Sequence, residues 1–143
     1  MSNQSTTVAI SGASGLVGKD LSALLKQHGH RVVPMTRKKA SGSDSIIWDT
    51  AKGVENLAQL EGVDTIVHLA GENIAGGRWN AAIKERIRSS RVDGTRSLVQ
   101  SIAKVQKRPK TLVCASAIGF YGDRGDEQLS ESAAAGKGYL ADV

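Results

Sequence analysis

Short apolar runs alternate along this chain with stretches of helical spacing. Thr7-Val-Ala-Ile-Ser11 ends at a glycine and predicts a first strand. From Leu16 to His28 the apolar positions Leu16, Val17, Leu21, Leu24 and Leu25 follow a helical period, and Gly29 supplies the stop. Arg31–Thr36 predicts a second strand, although Pro34 removes a ladder donor there. A bulge or a short neighbouring strand is the expected accommodation. Ile46-Ile47-Trp48 is a small third strand after a Ser/Gly loop, and a short helix is expected over Val54–Leu60. Asp64–Ala70 is the clearest buried strand. A long helical stretch runs from Trp79 to Gln106, with Ile83, Ile87, Leu98, Val99, Ile102 and Val105 as its apolar positions and Pro109 beyond its end. Thr111–Ser116 completes a fifth strand, in which Cys114 is expected to be buried. Strands alternating with helices imply a parallel sheet covered on both faces. Gly138–Val143 reads as a helix just beginning, so a larger fold is expected to continue beyond it.

Composition narrows the class. With 143 residues, 40% of them hydrophobic, the chain suits one domain with a core of its own. A single cysteine excludes a disulfide scaffold and a cysteine zinc cage, and fits a reducing compartment. Met1–Thr7 has neither the basic nor the apolar stretch of a signal peptide. No apolar run approaches the roughly 18 residues of a membrane span. A soluble cytoplasmic domain is the expectation. The net charge of +5 resolves into one segment: ten basic residues and two acids between Arg78 and Lys110 give +8, leaving −3 elsewhere. Such a segment suits a local anionic partner or a solvated helix face. Of the five aromatics only Trp79 lies within it, so a nucleic-acid surface is not expected.

The chemistry concentrates in Ser11-Gly12-Ala13-Ser14-Gly15-Leu16-Val17-Gly18, between the first strand and the first helix. Gly12 suits a tight turn, Gly15 a close backbone approach by a pyrophosphate, and Gly18 close helix–strand packing. The helix N-terminus adds free amides and a positive dipole end. Gly12, Ser14, Gly15, Leu16, Val17 and Gly18 are therefore candidate dinucleotide-binding residues. The end of the second strand selects the dinucleotide. An acid there holds the ribose hydroxyl of NAD, whereas a cation suits the 2′-phosphate of NADP. The sequence reads Thr36-Arg37-Lys38-Lys39, with no acid between Asp20 and Asp44. Arg37 can fork onto a phosphate, so NADP is expected in preference to NAD.

These features occur in one order with Trp48-Asp49, His68-Leu-Ala-Gly-Glu-Asn73, Arg78-Trp79, Ser90-Arg91-Val92 with Gly94-Thr95, and Ala115-Ser-Ala-Ile-Gly-Phe-Tyr-Gly122. Together they resemble the NAD(P)-dependent epimerase/dehydratase branch of the short-chain dehydrogenase/reductase superfamily. The nearest likeness is to its atypical group known as nucleoside-diphosphate-sugar epimerases or cell-division inhibitor-like proteins. The resemblance covers Val8–Val143 and implies a Rossmann-type, doubly wound α/β sheet of strand order 3-2-1-4-5. It implies one dinucleotide-binding domain over residues 1–143, without the C-terminal substrate-binding part. It places Leu69, Ala70 and Gly71 beside the nicotinamide ribose and Thr36 and Arg37 at the adenosine phosphate. Arg91 falls where many superfamily members carry an active-site asparagine, and there it suits holding a cofactor or substrate anion.

The superfamily's catalytic set is a Ser or Thr after the fifth strand with Tyr-x-x-x-Lys on the next helix. The resemblance implies Ser116 for the first role, one residue further from Tyr121-Gly122 than is usual. It implies Tyr139 for the second, but Val143 stands where the lysine belongs. Two readings follow. One is the NADP(H)-binding part of an oxidoreductase or epimerase acting on a small hydroxylated substrate such as a nucleotide sugar. The other is a non-catalytic dinucleotide-binding or redox-sensing module, or an inactive truncated remnant. With its apolar faces uncovered, such a chain is expected to self-associate or to be marginally stable. His28 and His30 read as surface residues, His68 as a hydrogen-bonded core histidine, and the acids from Asp123 to Glu131 as solvated. No ligand set for a metal is present in the sequence.

Overall fold

The computed structural model describes residues 5–38 and 44–143; Lys39, part of the basic turn, lies outside them. Five parallel strands form the sheet: β1 (Thr7–Ser11), β2 (Arg31–Thr36), β3 (Ile46–Asp49), β5 (Thr65–His68) and β6 (Thr111–Cys114), with a two-residue antiparallel strand β4 (Gly53–Val54) at one edge. The spatial order is β4-β3-β2-β1-β5-β6. Leaving β4 aside, this is the doubly wound order read from the sequence. Alternation along β1 divides the core. Ala9 faces one cluster with Val33, Met35, Trp48, Ile66 and Leu98, while Val8 and Ile10 face another with Val67, Leu21 and Leu25.

Pro34 sits in a central strand without loss. Arg31 N–H donates to the Thr6 carbonyl on the β1 side, so alternation turns the Pro34 nitrogen toward β3. The β2–β3 ladder starts only at Met35↔Ile46, beyond that nitrogen. Helix α1 (Leu16–Gln27) ends as its glycine predicts: Gly29 takes φ +81°, and His30 N–H returns to the Leu25 carbonyl.

Four expectations are corrected. The helix over Val54–Leu60 is a strand followed by one tight turn of helix at Leu57–Leu60. Asp49 Oδ1 accepts from the Ala51 and Lys52 amides to turn the chain, and Ser101 Oγ accepts from Val54 N–H, so the segment is extended before it can coil. The helix over Trp79–Gln106 begins later, at the Asn80 cap, as α2 (Ala81–Arg88). It widens into a π turn at Ser89–Asp93 and resumes as α3 (Gly94–Lys104). The fifth strand stops at Cys114 rather than Ser116. Cys114 itself is exposed, as is all of β6, an outermost strand hydrogen-bonded to β5 on one side.

Candidate functional site

Because the five strands are parallel, their carboxyl ends share one edge of the sheet. That edge gathers the glycine loop after β1, Thr36-Arg37 after β2, Leu69–Gly71 after β5, and Ser116 after β6.

The glycine loop is built to steric tolerance. A Cβ on Gly18 would stand 2.2 Å from the Gly12 carbonyl oxygen, and one on Gly15 3.2 Å from the same atom. Gly12 takes φ +73°, and a Cβ there would meet Ala70 N and Leu69 C at 3.0 Å. The loop is thus wedged between α1 and the end of β5. Gly15 is the N-cap of α1 and offers no side-chain acceptor, while its own N–H turns back to the Gly12 carbonyl. The first amides of the helix are left for an incoming acceptor. Ser14, Gly15, Leu16 and Val17 are all exposed, Leu16 at 86% and Val17 at 62%, so two apolar side chains stand uncovered beside these amides.

At the end of β2, Thr36 is half-buried and its hydroxyl donates to the Lys38 carbonyl, shaping the turn that presents Arg37. Arg37 is exposed and, with Lys38, Ile47, Glu55 and Asn56, lines an open cavity of about 470 Å³. A smaller cavity of about 210 Å³ includes Thr7, Arg31, Asp44 and Gly62 at the opposite edge and contains none of the candidate residues.

Beyond β5 the backbone is held by the helical segment over α2 and the π turn. Ser90 Oγ accepts from Glu72 N–H at 2.9 Å, Arg91 donates to the Glu72 carbonyl at 3.1 Å, and Arg86 pairs with the Glu72 carboxylate at 3.1 Å. The Arg91 guanidinium lies against Gly71, where a Cβ would meet its Cζ at 3.2 Å. The wide turn carries both Ser90 and Arg91, a common setting for π bulges at functional sites.

The structure thus brings Gly12 together with Leu69 and Ala70, and Gly71 with Arg91. It does not bring Ser116 and Tyr139 together by a hydrogen bond among the described residues. Ser116 is exposed past the end of β6. Tyr139 begins the four-residue helix α4 (Tyr139–Asp142); its hydroxyl donates to the Lys84 carbonyl, its ring stands edge-on to Trp79, and the Lys84 ammonium lies over it at 5.4 Å. Much of the basic segment is internally paired: Arg86 with Glu72, Arg88 with Glu85 and Asp93, and Arg96 with Asp93. Among the described residues no group of three or more His, Cys, Asp or Glu side chains could hold a metal, and no helix is long and apolar enough to cross a membrane.

Sequence reasoning passed over Ser11. It is fully buried, its Oγ lies 2.6 Å from His68 Nδ1, and it accepts from Ala70 N–H at 3.2 Å. The available signal was a polar residue closing each of two adjacent apolar strands, an arrangement that demands a partner in the core. Burial of the His68 imidazole lowers its pKa and keeps the ring neutral near physiological pH.

Residues 8–140 match the sequence profile of the family described as NAD dependent epimerase/dehydratase. The epimerase family protein Mb2239 of Mycobacterium bovis is 38% identical over 136 residues, spanning 95% of this chain and 44% of its own length. The epimerase family protein SDR39U1 of Bos taurus is 37% identical over 116 residues, 80% of this chain and 37% of that one. Among solved structures, a nucleoside-diphosphate sugar epimerase from Corynebacterium glutamicum superposes with a TM-score of 0.79 at 39% identity, over 97% of this chain and 28% of its own. Human SDR39U1, solved with NADPH, superposes with a TM-score of 0.80 at 29% identity, over 96% of this chain and 45% of its own. The chain spans less than half the length of these relatives.

Proposed function

This chain belongs to the NAD-dependent epimerase/dehydratase family, and we propose that it is the dinucleotide-binding part of an NADP(H)-dependent oxidoreductase or epimerase acting on a small hydroxylated substrate. The observation that carries the reading is the cradle itself. Gly12 and Gly18 leave no room for a side chain, so the loop packs close, and the start of α1 has no side-chain cap on its first amides. A phosphate anion fits such a donor set. Gly12, Ser14, Gly15, Leu16, Val17 and Gly18 would hold the pyrophosphate, and Thr36 and Arg37 the 2′-phosphate end. Leu69, Ala70 and Gly71 would flank the nicotinamide ribose, with Arg91 beside Gly71 as the cation nearest that end. When bound, the cofactor supplies hydride exchange at a carbon bearing a hydroxyl. Ser116 would donate a hydrogen bond to the substrate oxygen, and Tyr139 would move the proton. The human relative solved with NADPH supports the cofactor, and the name of the Corynebacterium relative supports a nucleotide sugar as the substrate class.

A second reading, a dinucleotide-binding module without turnover, is favoured by one observation: the Tyr139 hydroxyl is engaged by the Lys84 carbonyl, and Val143 stands four residues on. Calorimetric titration with NADPH and NADH tests the shared part. NADPH is expected to bind more tightly by roughly ten- to a hundredfold, the worth of one charge-assisted fork of about 1.5–3 kcal/mol. Arg37→Ala should erase most of that preference. Equal affinities in the unmodified chain would refute the NADP assignment. Single-turnover oxidation of bound NADPH by a panel of keto-sugars then separates the readings. Oxidation that disappears in Tyr139→Phe or Ser116→Ala supports the enzyme, and none with any substrate supports the module.

A further inference from the structure

We infer that Ser11 and His68 are positioning residues, a hydroxyl–imidazole pair that sets the gap between the glycine loop and the end of β5 and loosens it when His68 takes up a proton. The inference rests on reading that loop as the dinucleotide cradle. Ser11 ends β1 and leads straight into Gly12, while His68 ends β5 and leads into Leu69-Ala70, so the pair stands where the two halves of the cradle meet. Three bonds cross there: Leu69 N–H to the Ser11 carbonyl at 3.1 Å, Ala70 N–H to Ser11 Oγ at 3.2 Å, and Ser11 Oγ to His68 Nδ1 at 2.6 Å.

A serine hydroxyl has one proton and two lone pairs. The Ser11 oxygen already accepts from Ala70 N–H, and its own proton has His68 Nδ1 as its acceptor. No other acceptor reaches that proton among the described residues, and giving it to Nδ1 goes with the neutral Nε2–H tautomer. Its Nε2 is buried with no hydrogen-bond partner among the described residues, and the ring stands edge-on to Trp48 at 5.3 Å. A second proton would go onto Nδ1, turn the serine proton away from its acceptor, and leave that buried hydroxyl proton unpaired beside the bond from Ala70. Gly12 lies close enough to this backbone that a Cβ on it would meet Ala70 N and Leu69 C at 3.0 Å, so a shift at Ala70 reaches the glycine loop.

Among the described residues no anion pairs with the ring. Cys114 lies beside it in register on β6; Asp49, next to Trp48, caps its own turn; Glu72 is paired with Arg86; Asp93 is paired with Arg88 and Arg96; and Arg91 is bonded to the Glu72 carbonyl. His68 makes no ion pair among the described residues. Burial lowers its pKa, which keeps the proton off until the pH falls below the ordinary histidine range.

NADPH affinity is measured from about pH 5 to 8 for the unmodified chain, Ser11→Ala, His68→Leu and His68→Asn. Near neutral pH, Ser11→Ala and His68→Leu are expected to bind roughly fivefold more weakly, the worth of one buried hydrogen bond. The unmodified chain should weaken further in acid. His68→Asn keeps an acceptor but gains no proton, and should lose only what titration of the cofactor's own 2′-phosphate, with a pKa of about 6, accounts for. Parallel acid profiles for these two chains would overturn the inference. A second measurement needs neither cofactor nor variant: the His68 ring nitrogens and the Gly12 and Ala70 amides followed by NMR through the same pH range. Nδ1 should be unprotonated at neutral pH, and both amides should shift with the His68 titration. Amides that ignore it would overturn the pair as a positioning device even if NADPH binds. If NADPH does not bind at any pH, the cofactor reading fails, and the NMR titration still decides the pair.

Discussion

Gly18→Ala places one methyl group where the structure has no space. The new Cβ would stand 2.2 Å from the Gly12 carbonyl oxygen, 2.8 Å from Ala13 Cα and 2.9 Å from Gly12 C, all backbone atoms. The loop has little room to retreat, because on its other side even a Cβ on Gly12 would stand 3.0 Å from Ala70 N. Overpacking of this kind costs about 1–3 kcal/mol. Alanine opposes it with an intrinsic helix gain of about 1 kcal/mol over glycine. The net expectation is a loss of up to about 2 kcal/mol, or a fall in Tm of up to about 6 °C for a chain of this size. The displaced cradle amides should cost NADPH at least about tenfold in affinity, equivalent to about 1.4 kcal/mol. Gly29→Ala is the control: at φ +81°, with no described atom within 4 Å of the added Cβ, it strains the backbone far from the loop. It should lower Tm by a similar amount and leave NADPH binding intact. Calorimetry and NADPH titration on the three chains decide the matter. If Gly18→Ala melts and binds like the unmodified chain, the packing argument for the cradle is wrong.

Four further outcomes are expected. Ser101→Ala removes a buried oxygen that accepts from Val54 N–H at 3.0 Å, and urea denaturation should show a loss of about 1–3 kcal/mol for the stranded amide. Asn80→Ala removes the cap on Ile83 N–H and should cost about 1 kcal/mol in the same assay. Cys114 is exposed, so a thiol reagent should label it in the native chain as fast as in urea; slow native labelling would show that β6 is covered. Stability should fall as pH drops below about 6.5, the unfolded histidine value. There the unfolded chain binds a proton that buried His68 refuses, giving a slope of up to about 1.4 kcal/mol per pH unit until His68 itself titrates. His68→Asn should flatten that slope, and an unchanged slope would assign it to other groups.

Local rules carried much of this molecule. The unbroken apolar run Val8-Ala9-Ile10 announces a strand buried on both faces, and the Leu16–Leu25 spacing with Gly29 announces a helix and its stop. Each depends only on neighbours within a few residues, so both are legible in one dimension. The strand order came with the family resemblance, since crossover rules shorten the list of topologies without choosing one. The glycine spacing was legible for the same local reason: the turn, the cap and the close packing all lie within Gly12–Gly18.

What the tertiary structure alone decided involves residues far apart in the chain. Strand β4 is too short to carry a period, and it exists because Asp49 turns the chain and Ser101, on another helix, receives its amide. The π turn has the composition of an ordinary helix, yet it places Ser90 and Arg91 on Glu72, eighteen and nineteen residues away. The apolar run of β6 predicted burial, but burial depends on what packs against a strand, and β6 is an exposed edge. Tyr139 could be placed near a catalytic serine by analogy, whereas packing set it on α2, fifty-five residues back. Ser11 and His68, fifty-seven residues apart, meet because adjacent parallel strands end in register. A period names the face a side chain takes; only the packed sheet determines which partner that face meets.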